Sequence, residues 1–469
     1  MQKVTLYNTA TRKKEELKPI NAGKIGIYSC GPTVYSSPHI GNMYSYICWD
    51  VLVRTLEYLG YEVKQVVNIT DVGHLVADSD SGEDKMETGS RKEGISAWDL
   101  AKKYELEFME NLKKLNIQVP WKLPRATDHI EEQIKLIQLI ETNGFTYRTS
   151  DGIYFDTAKF PGYGDFAGLD LTKMREGARV EVNEEKKNPT DFALWKFSPE
   201  NEKRQMEWDS PWGRGFPGWH IECTAMSVKY LENPFDIHTG GEDHIAIHHT
   251  NEIAQGYGAW GKQTANIWMH NAFITFDGAK ISKSTGGLYS VFDLEKMGYE
   301  PLAYRYMALS SHYRKGISFS LDNLKTAETA LNKLRGYWFS LREDQASRGG
   351  KIDEKYRNDF VAAISNDIAM PEAMAVVWTM LRDETVSKPD RLATLIDFDR
   401  VLKLDLGVDS REKVEIPEEI RKLGEERWRA KQAKDWSLAD RLRVQLEEAG
   451  WGTADSAGGF KLVKLPKGN

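Results

Sequence analysis

Four residues near the start, His39-Ile40-Gly41-Asn42, and five beyond the middle, Lys280-Ile281-Ser282-Lys283-Ser284, carry the side chains that phosphate chemistry needs. The first tract opens a helix just after an expected strand, Lys24 to Cys30, where backbone N–H groups and the helix dipole can hold phosphate oxygens. The second puts two lysines and two hydroxyls on a loop flanked by Gly278, Gly286 and Gly287. A lysine there acts as a point charge on a pyrophosphate leaving group, where negative charge builds in the transition state. A second chemistry is offered by Cys30, Cys223, His248 and Glu252, whose side chains all bind zinc. His248 and Glu252 are four apart, so a helix sets both on one face. Cys30 and Cys223 are expected at two strand ends and meet only if a sheet brings them together, which spacing alone does not establish. His244 and His248 are also four apart and form a rival metal pair.

The elements that must position these groups follow from periodicity. After the strand 24–30 comes a helix from Met43 to Tyr58, then a strand from Glu62 to Asn68 ending in Thr70-Asp71. That order suits a nucleotide-binding α/β half. Residues 79–94 read as an exposed polar connection, and helices as Ala97 to Leu115 and Asp128 to Asn143. From Phe145 to about Trp212 the pattern turns to a hairpin and charged loops, an insertion into the α/β domain. A strand from Phe235 to His238 then ends in Thr239-Gly240-Gly241, a helix runs through Ala254, and a strand from Trp268 to Phe276 leads to the lysine loop. After Ser320 the chain reads as helical to Leu406, with Leu331, Leu334, Trp338 and Leu341 at helical spacing. Pro417 to Gly450 is helical and basic, and Gly452 to Leu465 a small β finish. Cys48, among Ile47, Val51 and Leu52, reads as a small core residue.

The two phosphate tracts resemble the HIGH and KMSKS signatures of class I aminoacyl-tRNA synthetases. Tyr28-Ser29-Cys30-Gly31-Pro32-Thr33-Val34-Tyr35, Gly218-Trp219-His220-Ile221-Glu222-Cys223 and His248-His249-Thr250-Asn251-Glu252 resemble the cysteinyl-tRNA synthetase family in particular. The resemblance runs from Leu6-Tyr7-Asn8-Thr9 to about residue 450. It implies a Rossmann-like α/β catalytic domain with an inserted connective domain, then a helical bundle and a small anticodon-binding domain. The boundaries expected are 1–144 and 216–320 for the catalytic halves, 145–215 for the insertion, 321–408 for the bundle and 409–469 for the C-terminal domain.

The resemblance also implies roles. Cys30, Cys223, His248 and Glu252 would hold one zinc ion, and Gly31, Thr70, Trp219 and His238 would line the pocket for L-cysteine. ATP, with Mg²⁺, would meet His39, Gly41, Asn42, Gly241, Asp243, Lys280, Ser282, Lys283 and Ser284, of which His39, Asn42, Lys280 and Lys283 would be catalytic. Zinc suits the task, because cysteine and serine are nearly isosteric and a thiophilic metal separates thiolate from neutral hydroxyl. Read without the family, Trp219 is better taken as a core side chain and Gly-Gly-x-Asp as a turn. The chain departs from the signatures at Asn42, Ile281 and Val72-Gly73-His74, the last standing where many relatives carry paired acids. None of these removes an atom the chemistry needs.

Length and composition bound the rest. At 469 residues the chain is too long for one core, and 41% apolar with 28% charged residues is a globular balance. Three widely spaced cysteines, no signal-peptide core and no membrane-length apolar run point to a cytoplasmic protein. A net charge of −7 argues against indiscriminate nucleic-acid binding but leaves room for a local basic face. Arg427, Arg429, Lys431 and Trp436 crowd one C-terminal stretch and, by the resemblance, would meet tRNA(Cys); the competing reading is a solvated helix face of ion pairs. A monomer fits the family. Two rival functions are a cysteine:aminosugar ligase of the same fold, which lacks the full C-terminal end, and a catalytically silent RNA-binding relative, which should have lost motif residues.

Overall fold

Four parallel strands form the sheet that positions everything else, in the spatial order Ala265–Asn271, Phe235–Gly241, Lys24–Ser29, Glu62–Val67. Most of their residues are buried, as a parallel sheet covered on both faces requires. The computed structural model describes residues 2–73, 84–168, 185–199, 204–276, 279–280, 289–343, 349–407, 417–433, 435–456 and 459–464. Within the sheet, Tyr28 pairs with His238 and His238 with Trp268 in register, so three rings form one row across three strands. The His238 and Trp268 rings stack at 4.5 Å and 16°. The first of these four in sequence, Lys24–Ser29, lies inside the sheet, and its carboxyl end opens on the crevice where α/β folds bind ligands.

The helix Ile40–Tyr58 begins three residues earlier than periodicity predicts, because His39 supplies the cap. His39 Nδ1 accepts from the Asn42 N–H at 3.3 Å, and Asn42 Oδ1 accepts from the His39 N–H at 3.2 Å, a reciprocal capping box. Residues 85–93, expected as exposed connection, form a helix instead, capped by Asp84 through the Met86 and Glu87 N–H groups. The expected strand from Trp268 to Phe276 is broken at Ala272-Phe273 into Ala265–Asn271 and Ile274–Phe276, and the second piece pairs with Ala279–Lys280 and Ile317–Phe319.

The insertion is a four-stranded antiparallel sheet, Thr146–Arg148, Gly152–Phe155, Phe192–Phe197 and Gly215–Pro217. Its Phe155, Phe192 and Trp195 share a core with Ile137 and Ile140 of helix Ile130–Thr142 and Ile221 of helix Trp219–Leu231. Beyond residue 320 the helices Leu321–Glu343, Glu354–Ser365, Met370–Arg382 and Lys388–Leu402 follow, with Leu331, Leu334, Trp338 and Leu341 buried as expected.

The chain divides into two compact units, Met1–Asp405 and Leu406–Asn469. Buried ions knit the first. Asp367, fully buried, accepts from the Tyr7 N–H at 2.9 Å, the Tyr313 hydroxyl at 2.7 Å and the Arg314 guanidinium at 2.6 Å. The second unit has helices Glu418–Gln432 and Trp436–Glu448 and a hairpin of Trp451–Ser456 with Gly459–Lys464. Ile420, Leu446 and Trp451 form its core. Among the described residues, no helix is long and apolar enough to cross a membrane.

Candidate active site and metal centre

At the carboxyl end of the central sheet lies a cavity of about 410 Å³, lined by Cys30, Gly31, Thr70, Trp219, Cys223 and His248 of the expected metal and amino-acid groups. His39, Gly41, Asn42, Gly241 and Asp243 of the expected ATP group line the same cavity. The two chemistries read from sequence therefore share one cleft. Because His39 Nδ1 accepts the capping bond, a neutral ring carries its proton on Nε2, a donor suited to a phosphate oxygen. Gly41 makes room for that ring: a Cβ there would stand 2.8 Å from His39 Cε1.

The chain that follows the lysine segment returns beside this cap. Ala279–Lys280 pairs with Ile274–Phe276, while the Ile40 N–H donates to the Tyr289 carbonyl at 2.8 Å and Ser290 bridges His39. Ser282, Lys283 and Ser284 lie outside the described residues, and of Lys280 only the backbone is described.

Cys30, Cys223, His248 and Glu252 converge with one donor atom each, all within 4.8 Å of one another. Cys223 does not come from a strand end, as expected, but from the first turns of helix Trp219–Leu231. The carboxyl end of an interior strand and the second turn of a helix thus supply one thiol each. His248 lies in a π-turn, Ile245–His249, and Glu252 in the helix Thr250–Trp260 that continues it. Their facing atoms are 3.2 Å apart. Burial alone would discharge His248, yet neighbouring Cys223 and Glu252 raise its pKa to about 10. Burial likewise opposes charge on Glu252, while His238 and His248 hold it down to about 2. A hydrogen bond from Cys30 lowers Cys223 to about 7. Burial and the neighbouring Cys223 push the Cys30 thiol well above its usual range, so the buried set pairs a carboxylate with an imidazolium beside one thiol of lowered and one of raised pKa.

Those donors fit a zinc ion. Glu252 Oε1 is buried and faces His248 Nε2 at 3.2 Å without a well-formed hydrogen bond, two donor atoms turned toward the place a cation would take. The other Glu252 oxygen is 3.0 Å from His238 Nε2, and His248 Nδ1 lies 2.9 Å from His220 Nδ1, contacts that leave His248 Nε2 to face the centre. A second grouping, Cys30, His238, His249 and Glu252, shares two of these residues. It fits less well, since His249 Nε2 already meets Cys30 at 3.2 Å, His249 Nδ1 meets His270 at 2.7 Å, and His238 Nε2 meets Glu252. His244 belongs to neither grouping.

The amino-acid end has a buried polar backing. The Gly31 N–H donates to Asn68 Oδ1 at 2.7 Å, Asn68 Nδ2 donates to Thr70 Oγ1 at 2.9 Å, and Thr70 donates to Glu222 at 3.1 Å. Asn68 and Glu222 were not singled out from sequence; their polar type beside motif residues on buried elements was the available signal. The half-buried Trp219 ring stands 4.7 Å from His248 and forms a wall. His238, expected on that wall, is fully buried behind Glu252 and does not line the cavity. At Gly31 an added Cβ would fall 1.5 Å from the Asn68 carbonyl oxygen. Gly31→Ala should therefore displace the Cys30–Gly31 turn, lower metal affinity and cost about 1–3 kcal/mol in a denaturant titration. Unchanged metal affinity would show that the turn yields elsewhere.

With this geometry in hand, comparison with known proteins is direct. The family model for the class I (C) tRNA synthetase catalytic domain matches residues 16–329. A cysteine--tRNA ligase 1 from Burkholderia lata is 48% identical over 467 residues, covering 99% of this chain and 98% of that protein. The chain belongs to the cysteine--tRNA ligase family. A cysteine--tRNA ligase from Treponema denticola is 42% identical over 98% of this chain. Solved structures extend the fold. Mycobacterium tuberculosis methionyl-tRNA synthetase in complex with methionyl-adenylate has a TM-score of 0.55 at 14% identity, covering 81% of this chain and 90% of that one. The Agrobacterium radiobacter K84 ternary complex of LeuRS, tRNA and LeuAMS gives 0.59 at 11%, covering 83% and 85%. Both share the class I synthetase fold, a parallel-sheet catalytic domain followed by helices.

In the second unit of this cysteine--tRNA ligase family member, the expected RNA-binding residues separate. Trp436 is 59% exposed, whereas Arg427 is 7% exposed and part of the interior. Arg429 stands 3.8 Å from Glu425, the i,i+4 pairing of a solvated face.

Proposed function

We propose that this chain activates L-cysteine with ATP, releasing pyrophosphate, and transfers cysteine to the 3′ end of tRNA(Cys). The observation that carries this reading is the two-thiol, imidazole and carboxylate centre beside the same cleft that the His39–Asn42 helix start lines. Bound by Cys30, Cys223, His248 and Glu252, zinc would accept a substrate thiolate and discriminate against a serine hydroxyl. The residues of the chain do the rest. Gly31, Thr70 and Trp219 orient the amino acid, while Gly241 and Asp243 flank the nucleotide end, where a carboxylate can take ribose hydroxyls. The substrate carboxylate attacks the α-phosphorus in line, so no protein nucleophile is needed and positioning plus charge supply the rate. His39 Nε2–H meets phosphate oxygens at the positive end of the helix Ile40–Tyr58 dipole, with Asn42 holding His39 in place. Lys280 and Lys283, with Ser282 and Ser284, accompany the departing pyrophosphate and Mg²⁺. The second unit, led by exposed Trp436 with Arg429 and Lys431, would meet unstacked bases of tRNA. The five-part domain division, a monomer and a cytoplasmic location rest on the family alone.

Amino-acid-dependent ATP–pyrophosphate exchange tests the reading. Exchange with cysteine but not serine is expected, lost on metal stripping and restored by zinc. No exchange by metal-loaded protein would refute the enzyme; equal exchange with serine would refute selection by the metal.

A further inference from the structure

A chain of hydrogen bonds runs from the N-terminal hairpin to one of the four metal donors. Thr9 Oγ1 lies 2.8 Å from His270 Nδ1, His270 Nε2 lies 2.7 Å from His249 Nδ1, and His249 Nε2 lies 3.2 Å from Cys30 Sγ. Every link is buried or half-buried: His249 is fully buried and His270 is 6% exposed. Thr9 sits between the strands Thr5–Asn8 and Lys13–Glu16, outside the central sheet, and its own N–H is taken by the Trp268 carbonyl at 2.8 Å.

Each ring-to-ring contact needs one donor and one acceptor nitrogen, so the polarity of the whole chain is set at its ends. With zinc bound by the four-residue centre, the Cys30 sulfur would be a ligand that can only accept from His249 Nε2, 3.2 Å away. His249 must then donate from Nε2 and accept at Nδ1, His270 must donate from Nε2 and accept at Nδ1, and the group at the far end must be a donor. Threonine is that donor, through its hydroxyl hydrogen. We propose that Thr9 is a positioning residue of the metal centre: its hydroxyl supplies the donor at the far end of the relay, which lets His270 and His249 hold the tautomers that aim an N–H at the Cys30 sulfur. That bond would stabilise the thiolate as a metal ligand from outside the ligand set, as outer contacts do at other metal sites. The inference rests on the four-residue centre proposed above. It also gives a task to the Leu6-Tyr7-Asn8-Thr9 motif, which the cleft itself does not use.

Thr9→Val keeps shape and β-branching but removes the donor; Thr9→Ser keeps it. Zinc affinity, measured by chelator competition on the full chain, should fall about tenfold in Thr9→Val and stay within about threefold of the parent in Thr9→Ser. In the cobalt-substituted protein the sulfur-to-metal charge-transfer band should shift in Thr9→Val only. Equal zinc affinity in Thr9→Val and parent would overturn the proposal, as would an equal loss in Thr9→Ser, which would assign the effect to packing. A parent protein that binds no zinc would instead refute the metal centre itself, a separate result.

Discussion

Replacing Cys223 by serine is expected to empty the metal centre and lower cysteine-dependent pyrophosphate exchange by more than about a hundredfold. Contacts outside a ligand set already cost 10–100-fold when lost, and a ligand itself costs more. The substitution is close to isosteric, and Cys223 is 2% exposed in a packed cluster with Tyr28, Met226 and Trp268, so the cavity keeps its shape. What changes is chemical: a side chain whose pKa lies at about 7 becomes a hydroxyl that stays neutral at any working pH. Metal content by elemental analysis should fall with activity. Compared metal-free, the two proteins should unfold within about 1.5 kcal/mol of each other. Retained exchange with retained zinc would show that Cys223 is not a ligand.

The largest effect on stability should come from Asp50. Arg305 has no solvent exposure, and its guanidinium donates to Asp50 at 2.6 Å, to the Leu402 carbonyl at 2.7 Å and to the Leu115 carbonyl at 3.1 Å. One side chain thus joins helix Ile40–Tyr58, which opens at the phosphate site, to the end of helix Lys388–Leu402. Asp50→Ala leaves that guanidinium buried without its counter-ion and should cost about 3–5 kcal/mol in urea unfolding. Arg305→Met should cost less, because Asp50 keeps the Arg54 guanidinium at 2.8 Å and the Gln118 N–H at 2.7 Å. The reverse order would mean that the two carbonyls, not the ion pair, carry the interaction.

Neither Asp50 nor Arg305 stood out in the sequence, since a charged residue in an amphipathic helix is ordinarily read as a solvated one. The same reading put Arg427 on an RNA-facing surface, and the fold buries it. Local order was easier to read. The strand Lys24–Ser29, the helix after it, the insertion hairpin and the helices past residue 320 follow from side-chain period and turn residues, which neighbouring residues alone dictate. The helix Lys85–Glu93 was missed because it is short and polar, and its formation depends on the Asp84 cap.

By itself, the sequence determined the residue types and spacing of the two phosphate tracts, the His248–Glu252 pair on one helical face, and the α/β order that sets a cleft at strand ends. These are properties of neighbours along the chain. Only the tertiary structure decided that Cys30 and Cys223, almost two hundred residues apart, meet those two side chains within 4.8 Å, and that Cys223 arrives on a helix. It alone moved His238 off the pocket wall to hold Glu252, and linked Thr9 to Cys30 through two imidazoles. The physical reason is that side-chain convergence depends on sheet order and register, Lys24–Ser29 beside Phe235–Gly241 with Tyr28 opposite His238, and long-range pairing leaves no periodic trace in a single sequence.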